Sequence, residues 1–155
     1  MADVRQRSVW VSLDLPDGTI PAVPGGLTDH HVTVVYVGRI GDEAYRSVCA
    51  RARTTASQVT GPLVGFISGV DSFKPSAGSD GRTPAFAPVV LPGVEALRAA
   101  LADLSGSEHR DYRPHVTLAY LDAGDALPAP VPPTRIAFTH LSVHRGPGVA
   151  SFPLG

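Results

Sequence analysis

The chain has 155 residues, the usual length of one domain, with 43% hydrophobic and 17% charged residues, which excludes an intrinsically disordered protein. A formal net charge of −1 argues against gripping a long nucleic acid through its phosphates. The single cysteine, Cys49, excludes an internal disulfide and a multi-cysteine metal site, and it is predicted to be a core residue. Because no apolar run reaches the length of a membrane helix and residues 1–5 contain no signal region, we expect one soluble, intracellular domain.

The first third of the chain predicts two strands and a helix. Residues Ser8–Leu15 alternate between an apolar face and a polar face that includes Trp10, which is typical of a half-buried strand. Three prolines and three glycines make Pro16–Thr28 a loop, and a second strand follows over His31–Val37. Asp42 is expected to cap a helix that runs to about Val59.

The middle of the chain repeats this order. Strands are predicted over Pro62–Phe73 and Pro84–Leu91, and the intervening segment, Lys74–Arg82, is interpreted as a flexible linker. A helix begins near Pro92, with apolar residues at helical spacing facing inward. A polar connection, Ser105–Arg113, leads to the next strand.

The last third predicts strands over His115–Leu121, Arg135–His144 and, at an edge, Ser151–Leu154, while Asp122–Thr134 is expected to be extended polyproline-type backbone. Short connections favour antiparallel pairing. We therefore expect an α+β fold over residues 1–155: a single bilobal domain whose two lobes of antiparallel sheet each contain a helix and are related by a pseudo-two-fold.

One short pattern occurs twice in this chain. The sequence H-V-T-V-V-Y-V begins at His31 and H-V-T-L-A-Y-L begins at His115, so that His, Val, Thr and Tyr recur at the same positions. Because side chains alternate along a strand, His31 and Thr33 share one face, and so do His115 and Thr117. The apolar residues between them should lie under the helices, and both His/Thr faces should line one central cleft.

The apolar face of each repeat is predicted to include its tyrosine. Tyr36 and Tyr120 fall on the same parity as the buried valines of their strands, so both are interpreted as core residues.

Two histidines with neighbouring hydroxyl groups suit phosphodiester chemistry. One imidazole can take a proton from the attacking oxygen, and the other can give a proton to the leaving oxygen. Threonine hydroxyls can donate to the non-bridging phosphate oxygens in the transition state. His31, Thr33, His115 and Thr117 are therefore the candidate catalytic residues, and which histidine is the base stays open at this point.

Three further residues are candidates for substrate binding. Tyr112 and Arg113 come directly before the second motif, where they could stack on a base and pair with a phosphate, although a solvated loop is an equal alternative. Trp10 falls on the polar face of its strand, where it could stack on a base or pack between the lobes. His140 and His144 are four residues apart without an evident third ligand, so no metal site is expected.

The paired H-x-T motifs, each on a strand between hydrophobic residues, resemble the signature of the two-histidine (2H) phosphoesterase superfamily, which includes bacterial RNA 2′-5′ ligase-like proteins and cyclic phosphodiesterases. An aromatic-x-Pro-His approach, residues 112–115, adds to the resemblance. It implies a bilobal fold with both motifs in one cleft and metal-independent activity on 2′,3′-cyclic phosphates or 2′-5′ linkages. The chain differs from many members in having the loop Pro16–Thr28 where they have a helix.

The sequence thus predicts a metal-independent phosphodiesterase without a cofactor, acting on a small nucleotide or a short RNA end. One alternative is an enzyme that degrades cyclic oligonucleotides or other nucleotide immune messengers, as phage anti-defence proteins do. Another is a non-catalytic module that sequesters a nucleotide. We expect a monomer without a membrane or protein partner, in the cytoplasm of a bacterium or encoded by a phage.

Overall fold

A computed structural model describes residues 7–106 and 112–155, with the side chain of Arg7 excepted. The N-terminal residues 1–6 and most of the predicted polar connection before the second motif lie outside the described residues. No helix within the described ranges is both long and apolar enough to cross a membrane.

In the described residues the fold consists of nine strands and two α-helices. The strands are β1 (Arg7–Asp14), β2 (His31–Ile40), β3 (Leu63–Gly69), β4 (Asp71–Ser72), β5 (Thr83–Val90), β6 (His115–Leu121), β7 (Val131–Phe138), β8 (His140–Arg145) and β9 (Gly148–Pro153). The helices are α1 (Asp42–Ser57) and α2 (Val94–Leu101), and 3₁₀ turns occupy Ala77–Ser79 and Ala102–Leu104.

The strands form one curled antiparallel sheet in the order β7-β3-β5-β6-β2-β1-β8-β9, with β4 paired to β5. The two motif strands, β2 and β6, are neighbours at its centre, where Val32 pairs with Val116. Three further strands extend on each side of this pair, so the order has an approximate two-fold centre. The α+β fold with two pseudo-symmetric halves is confirmed.

The halves of the sheet are not the halves of the sequence, however. β8 and β9 return to the side of the first motif, and β7 joins the side of the second motif. The prediction of a single strand over Arg135–His144 is wrong. The segment breaks at Thr139 into two strands that lie towards opposite ends of the sheet. The buried positions shift by one residue there, from Ile136 and Phe138 to Leu141 and Val143.

Smaller boundaries also differ from the prediction. The strand expected over Pro62–Phe73 divides into β3 and β4, since Gly69 adopts a left-handed backbone with φ of 86°. β7 begins at Val131, within the expected polyproline segment, because an edge strand tolerates prolines that lack an N–H group. Asp42 is the first helical residue and Gly41 the cap, while α1 ends at Ser57. The carboxylate of Asp42 instead accepts a hydrogen bond from Arg145 (2.5 Å).

The core forms as the apolar patterns predict. The whole apolar face of the first strand is buried, and so are the inward residues of α2: Val9, Val11, Leu13, Leu15, Val94, Leu97 and Leu101. Cys49 is half-buried and packs at the margin of this core. α1 packs on β8 and β9, and α2 packs on β2 and α1, which leaves the opposite face of the central strands free to form the cleft.

Both motif strands contain a β-bulge at the residue that follows the threonine. Pairing with β1 skips Val34, and pairing with β5 skips Leu118. A bulge adds one residue to a strand and reverses the side-chain parity beyond it. The prediction that Tyr36 and Tyr120 are core residues is therefore wrong: they are 44% and 39% exposed.

Candidate active site

The four motif residues lie together on one face of the central strands. Val32 and Val116, which pair across β2 and β6, are fully buried on the other face. Extending this antiparallel pairing by one residue in each direction places His31 opposite Thr117 and Thr33 opposite His115. Each histidine therefore lies across the strand pair from the threonine of the other motif, and the two motifs share one face of the sheet.

The two imidazole rings are oriented in the same way. Nδ1 of His31 is 3.0 Å from the carbonyl oxygen of Asp29, and Nδ1 of His115 is 2.7 Å from that of Arg113. In each case the carbonyl lies two residues before the histidine, and Nδ1–H donates to it. The hydrogen bond holds the tautomer and leaves Nε2 available for proton transfer. Burial lowers the pKa of both imidazoles below 6.5.

A cavity of about 450 Å³ opens beside Thr33, His115 and Thr117. We call it the basic cavity because its charged lining residues are Lys74, Arg98 and Arg113. The exposed rings of Tyr36 and Tyr120 also line it. Its volume lies within the range of small-molecule sites in proteins.

A second cavity of about 340 Å³ lies on the side of His31. We call it the acidic cavity because three carboxylates, those of Asp14, Asp17 and Asp29, line it together with His31 and His144. The motif site thus lies between two cavities of opposite charge.

His115 has aromatic neighbours. The ring of Phe73 is 4.9 Å from its imidazole and that of Phe86 is 5.2 Å away, both approaching edge to face. The guanidinium of Arg113 lies 5.7 Å and 5.3 Å from the same two rings and 3.7 Å from the carboxylate of Asp71. Burial is the main cause of the lowered pKa of His115. The hydrogen bond to the carbonyl of Arg113 opposes this effect, and the charges of His31 and Arg113 add to it.

His31 has polar neighbours. The rings of Trp10 and His144 stack at 4.9 Å with an interplanar angle of 3°, and each lies about 6 Å from the imidazole of His31 (6.3 and 6.2 Å). Nε2 of His144 donates to the carboxylate of Asp14 at 3.0 Å, which also accepts a hydrogen bond from Ser12 (2.6 Å). Burial lowers the pKa of His31, whereas the hydrogen bond to Asp29 and the charge of Asp14 oppose that effect.

Comparison with known proteins identifies the family. The model of the 2′-5′ RNA ligase superfamily matches residues 27–145, a range that contains both motifs and most of the chain. The chain belongs to the 2′-5′ RNA ligase superfamily. The resemblance to 2H phosphoesterases is thereby confirmed.

Solved structures share the fold of this superfamily member at low sequence identity. The chain is similar to TT0787 of Thermus thermophilus with a TM-score of 0.65 and 17% identity, covering 96% of this chain and 95% of that one. It is also similar to E. coli LigT complexed with ATP, with a TM-score of 0.59 and 15% identity over 97% and 96% of the two chains. A third structure, of a phosphoesterase, gives a TM-score of 0.54 at 18% identity over 96% of each chain. No curated protein matches the chain in sequence.

Within this superfamily fold, the three predicted substrate-binding residues lie at the site. Tyr112 and Arg113 line the basic cavity, and Trp10 lines the acidic cavity. Tyr112 also has a structural role, because its hydroxyl donates to the carbonyl oxygen of Thr33 (2.8 Å) and thereby attaches the segment before β6 to β2. Burial raises the pKa of this phenol, which stays protonated. Contact with substrate remains a prediction for all three residues.

The segment Lys74–Arg82 is not the simple flexible linker that was expected. The buried hydroxyl of Ser79 donates to the carbonyl of Arg82 (2.6 Å) and accepts from the N–H of Ser76 (3.0 Å), which closes a 3₁₀ turn. Lys74, Ser76 and Ser79 line the basic cavity. The spacing of three residues between Ser76 and Ser79, in a run rich in Ser and Gly, could have indicated this turn.

Sequence reasoning missed several residues of the site, which reach it through long-range pairing: Asp14, Tyr36, Phe73, Arg98, Tyr120 and His144. Of these residues, only Tyr36 and Tyr120 carried a sequence signal, because they recur at the same position of the two repeats. Within residues 7–106 and 112–155, no three His, Cys, Asp or Glu side chains are grouped so that they could hold a metal ion.

Proposed function

We propose that this chain is a phosphodiesterase that acts on 2′,3′-cyclic phosphate ends or 2′-5′-linked nucleotides by general acid–base catalysis between two histidines. The observation that carries the proposal is the pairing of β2 with β6, which places each motif histidine opposite the threonine of the other motif. A phosphate between the two strands would meet an imidazole on each side and a hydroxyl from each strand.

The reaction needs no group beyond these side chains. Nε2 of one neutral imidazole takes a proton from water or from a ribose 2′-hydroxyl as the new P–O bond forms. The other imidazole, protonated on Nε2, gives its proton to the leaving oxygen as the old P–O bond breaks. The hydroxyls of Thr33 and Thr117 donate to the non-bridging oxygens, whose negative charge grows in the transition state.

Family membership and the ligands of a relative support a nucleotide substrate. Structures of E. coli LigT, which has the same fold, contain ATP, NADP⁺, 3′-AMP or phosphate. The exposed tyrosines and the arginines of the basic cavity supply stacking surfaces and anion partners of the kind a nucleotide requires.

A second candidate substrate is a cyclic oligonucleotide, such as those that serve as bacterial immune messengers. The observation that favours it is the size and charge of the basic cavity, which is larger than a single phosphate requires. The same histidines and threonines would cleave either substrate, so the two candidates differ in specificity and not in mechanism.

Purified protein is incubated in excess EDTA with 2′,3′-cyclic nucleotides, 2′-5′ and 3′-5′ dinucleotides, and cyclic di- and trinucleotides, and products are read by mass spectrometry. We expect turnover of at least one member, its loss in the double variant His31→Ala/His115→Ala, and its retention in His140→Ala, which replaces an exposed histidine of β8. Binding without turnover across the whole panel would contradict the proposal and favour the sequestering module.

A further inference from the structure

We propose that the basic cavity binds a second phosphate of the substrate through Arg98 and Lys74, so that the preferred ligand carries a phosphate beyond the one that reacts. This inference rests on the proposed function, because the motif site is taken as the position of the reacting phosphate. It narrows the substrate class to nucleotides with at least two separate phosphate groups.

The two cavities differ in the sign of the charged groups that line them. Within the described residues, the basic cavity is lined by three cations and by no carboxylate, whereas the acidic cavity is lined by three carboxylates and by no lysine or arginine. Both open beside the motif residues. A phosphate is stabilised in the first and repelled from the second, and the hydroxyl groups of an uncharged sugar fit the carboxylates of the second.

Arg98 is held in position by Tyr112. Its guanidinium lies 5.5 Å from the centre of the Tyr112 ring, and the hydroxyl of Tyr112 is bound to the backbone of Thr33. Through Tyr112, the guanidinium of Arg98 is therefore held close to the motif strand β2. A planar guanidinium fixed on a ring loses little freedom when it binds an anion.

One hydrogen-bond donor of Arg98 is not used by any described residue. Its Nη1 is buried and has no hydrogen-bond partner among the described residues. A buried N–H of a charged group without an acceptor is costly, and a phosphate oxygen that reached the guanidinium would supply the acceptor.

Other arginines of the protein, unlike Arg98, pair with described carboxylates. Arg51 pairs with Asp103 at 2.8 Å, Arg145 with Asp42 and Arg113 with Asp71. In the part of the chain that the structure describes, Arg98 and Lys74 form no ion pair with a carboxylate. Two cations on the wall of one cavity that no described carboxylate pairs with leave their charge for a ligand.

Binding of two stable products tests the proposal independently of catalysis. Affinities for 3′-AMP and adenosine 3′,5′-bisphosphate are measured by calorimetry for the wild-type protein, Arg98→Gln, Lys74→Gln and the control Arg46→Gln, which removes an exposed arginine of α1. We expect the wild type to bind the bisphosphate about tenfold or more tightly than 3′-AMP, the gain expected from at least one charge-assisted hydrogen bond. Each cavity variant should reduce this preference, and Arg46→Gln should keep it.

Equal affinities of the wild type for the two ligands, or an undiminished preference in Arg98→Gln, would overturn the second-phosphate site. If Arg98→Gln fails to fold, Lys74→Gln tests the same site, since Lys74 is exposed and lies outside the helices. A preference for the bisphosphate without turnover of any diester would instead leave the second-phosphate site intact and refute the catalytic proposal.

Discussion

The two copies of the H-x-T motif are alike in sequence and backbone but differ in what surrounds them. Both histidines donate from Nδ1 to a carbonyl two residues earlier, and both strands bulge after the threonine. His115 lies among aromatic rings and Arg113, whereas His31 lies near Asp14 and the stacked pair of Trp10 and His144. A repeated strand thus supplies equal geometry, and residues from other strands make the two electrostatic environments unequal.

This inequality suits a reaction that needs one neutral and one protonated imidazole. Burial lowers the pKa of both groups, but the neighbouring charges then act in opposite directions. A backbone hydrogen bond raises the pKa of each imidazole. The charges of Asp14 and Asp29 also raise the pKa of His31, although His144 lowers it, whereas the charges of His31 and Arg113 lower the pKa of His115. Because neighbouring carboxylates favour the protonated form of His31, we infer that His31 is the better candidate for the acid and His115 for the base.

The largest expected effect comes from removing either imidazole. His31→Ala and His115→Ala should each lower kcat/KM by about 10²–10⁴-fold, since each removes one proton transfer. The double variant should lose much less than the product of the two single losses, because the two groups act in one step. Steady-state kinetics measures these losses with the substrate that the panel in excess EDTA identifies. A variant that keeps wild-type activity would show that only one copy of the motif is catalytic.

Replacing the threonines tests whether the geometry of the two copies is equal. Thr33→Val and Thr117→Val keep the shape of the side chain and its preference for a strand but remove the hydroxyl donor. We expect each to lower kcat by about 10²-fold with a smaller change in KM, because the hydroxyls act mainly on the transition state. A large difference between the two variants would contradict the equivalence that the pairing of β2 with β6 implies.

Much of this site could be predicted because its information is local. The alternation of polar and apolar residues identifies the motif strands and the shared face of His31 and Thr33 without any knowledge of their partners. The same rule misplaces Tyr36 and Tyr120. The bulge before each tyrosine depends on pairing with β1 or β5, and the alternation of residues before the bulge does not reveal it.

The environments of the histidines could not be predicted, because they depend on long-range contacts. Asp14 and His144 are 130 residues apart in sequence and meet only because β8 returns to pair with β1. The break at Thr139 that permits this return is a shift of one residue in the buried pattern, which is easily overlooked within a long apolar run. Phe73 reaches His115 in a similar way, through the pairing around β5.

A smaller effect is expected from Asp14→Asn, which removes one charge from the His31 side. The pKa of His31 should fall further, because the carboxylate no longer opposes the effect of burial, whereas the pKa of His115 should change much less. Titration of the two imidazole resonances by NMR measures both shifts in one sample. The activity near neutral pH should fall by less than about tenfold, since the imidazoles themselves remain.

Equal shifts of both resonances, or an unchanged His31, would contradict the assignment of different charges to the two sides. Asp17→Asn is a matched control. Asp17 also lines the acidic cavity, but it is not among the groups that shift the pKa of His31. This control should leave the His31 titration closer to that of the wild type.

The smallest effect concerns the pH dependence of stability. Because folding lowers the pKa of both histidines below 6.5, the unfolded chain binds more protons than the folded chain between the lowered values and 6.5. The free energy of unfolding should therefore decrease as the pH falls from 7 through this window, and it should rise again with increasing pH. In the double variant His31→Gln/His115→Gln the decrease should be shallower, because neither replacement titrates. Denaturant unfolding at pH 7.0 and pH 5.5 gives, for each protein, the slope of the unfolding free energy against pH. Because the carboxylates are common to both proteins, their contribution cancels when the two slopes are compared. Identical slopes would contradict the lowering of the two imidazole pKa values by burial.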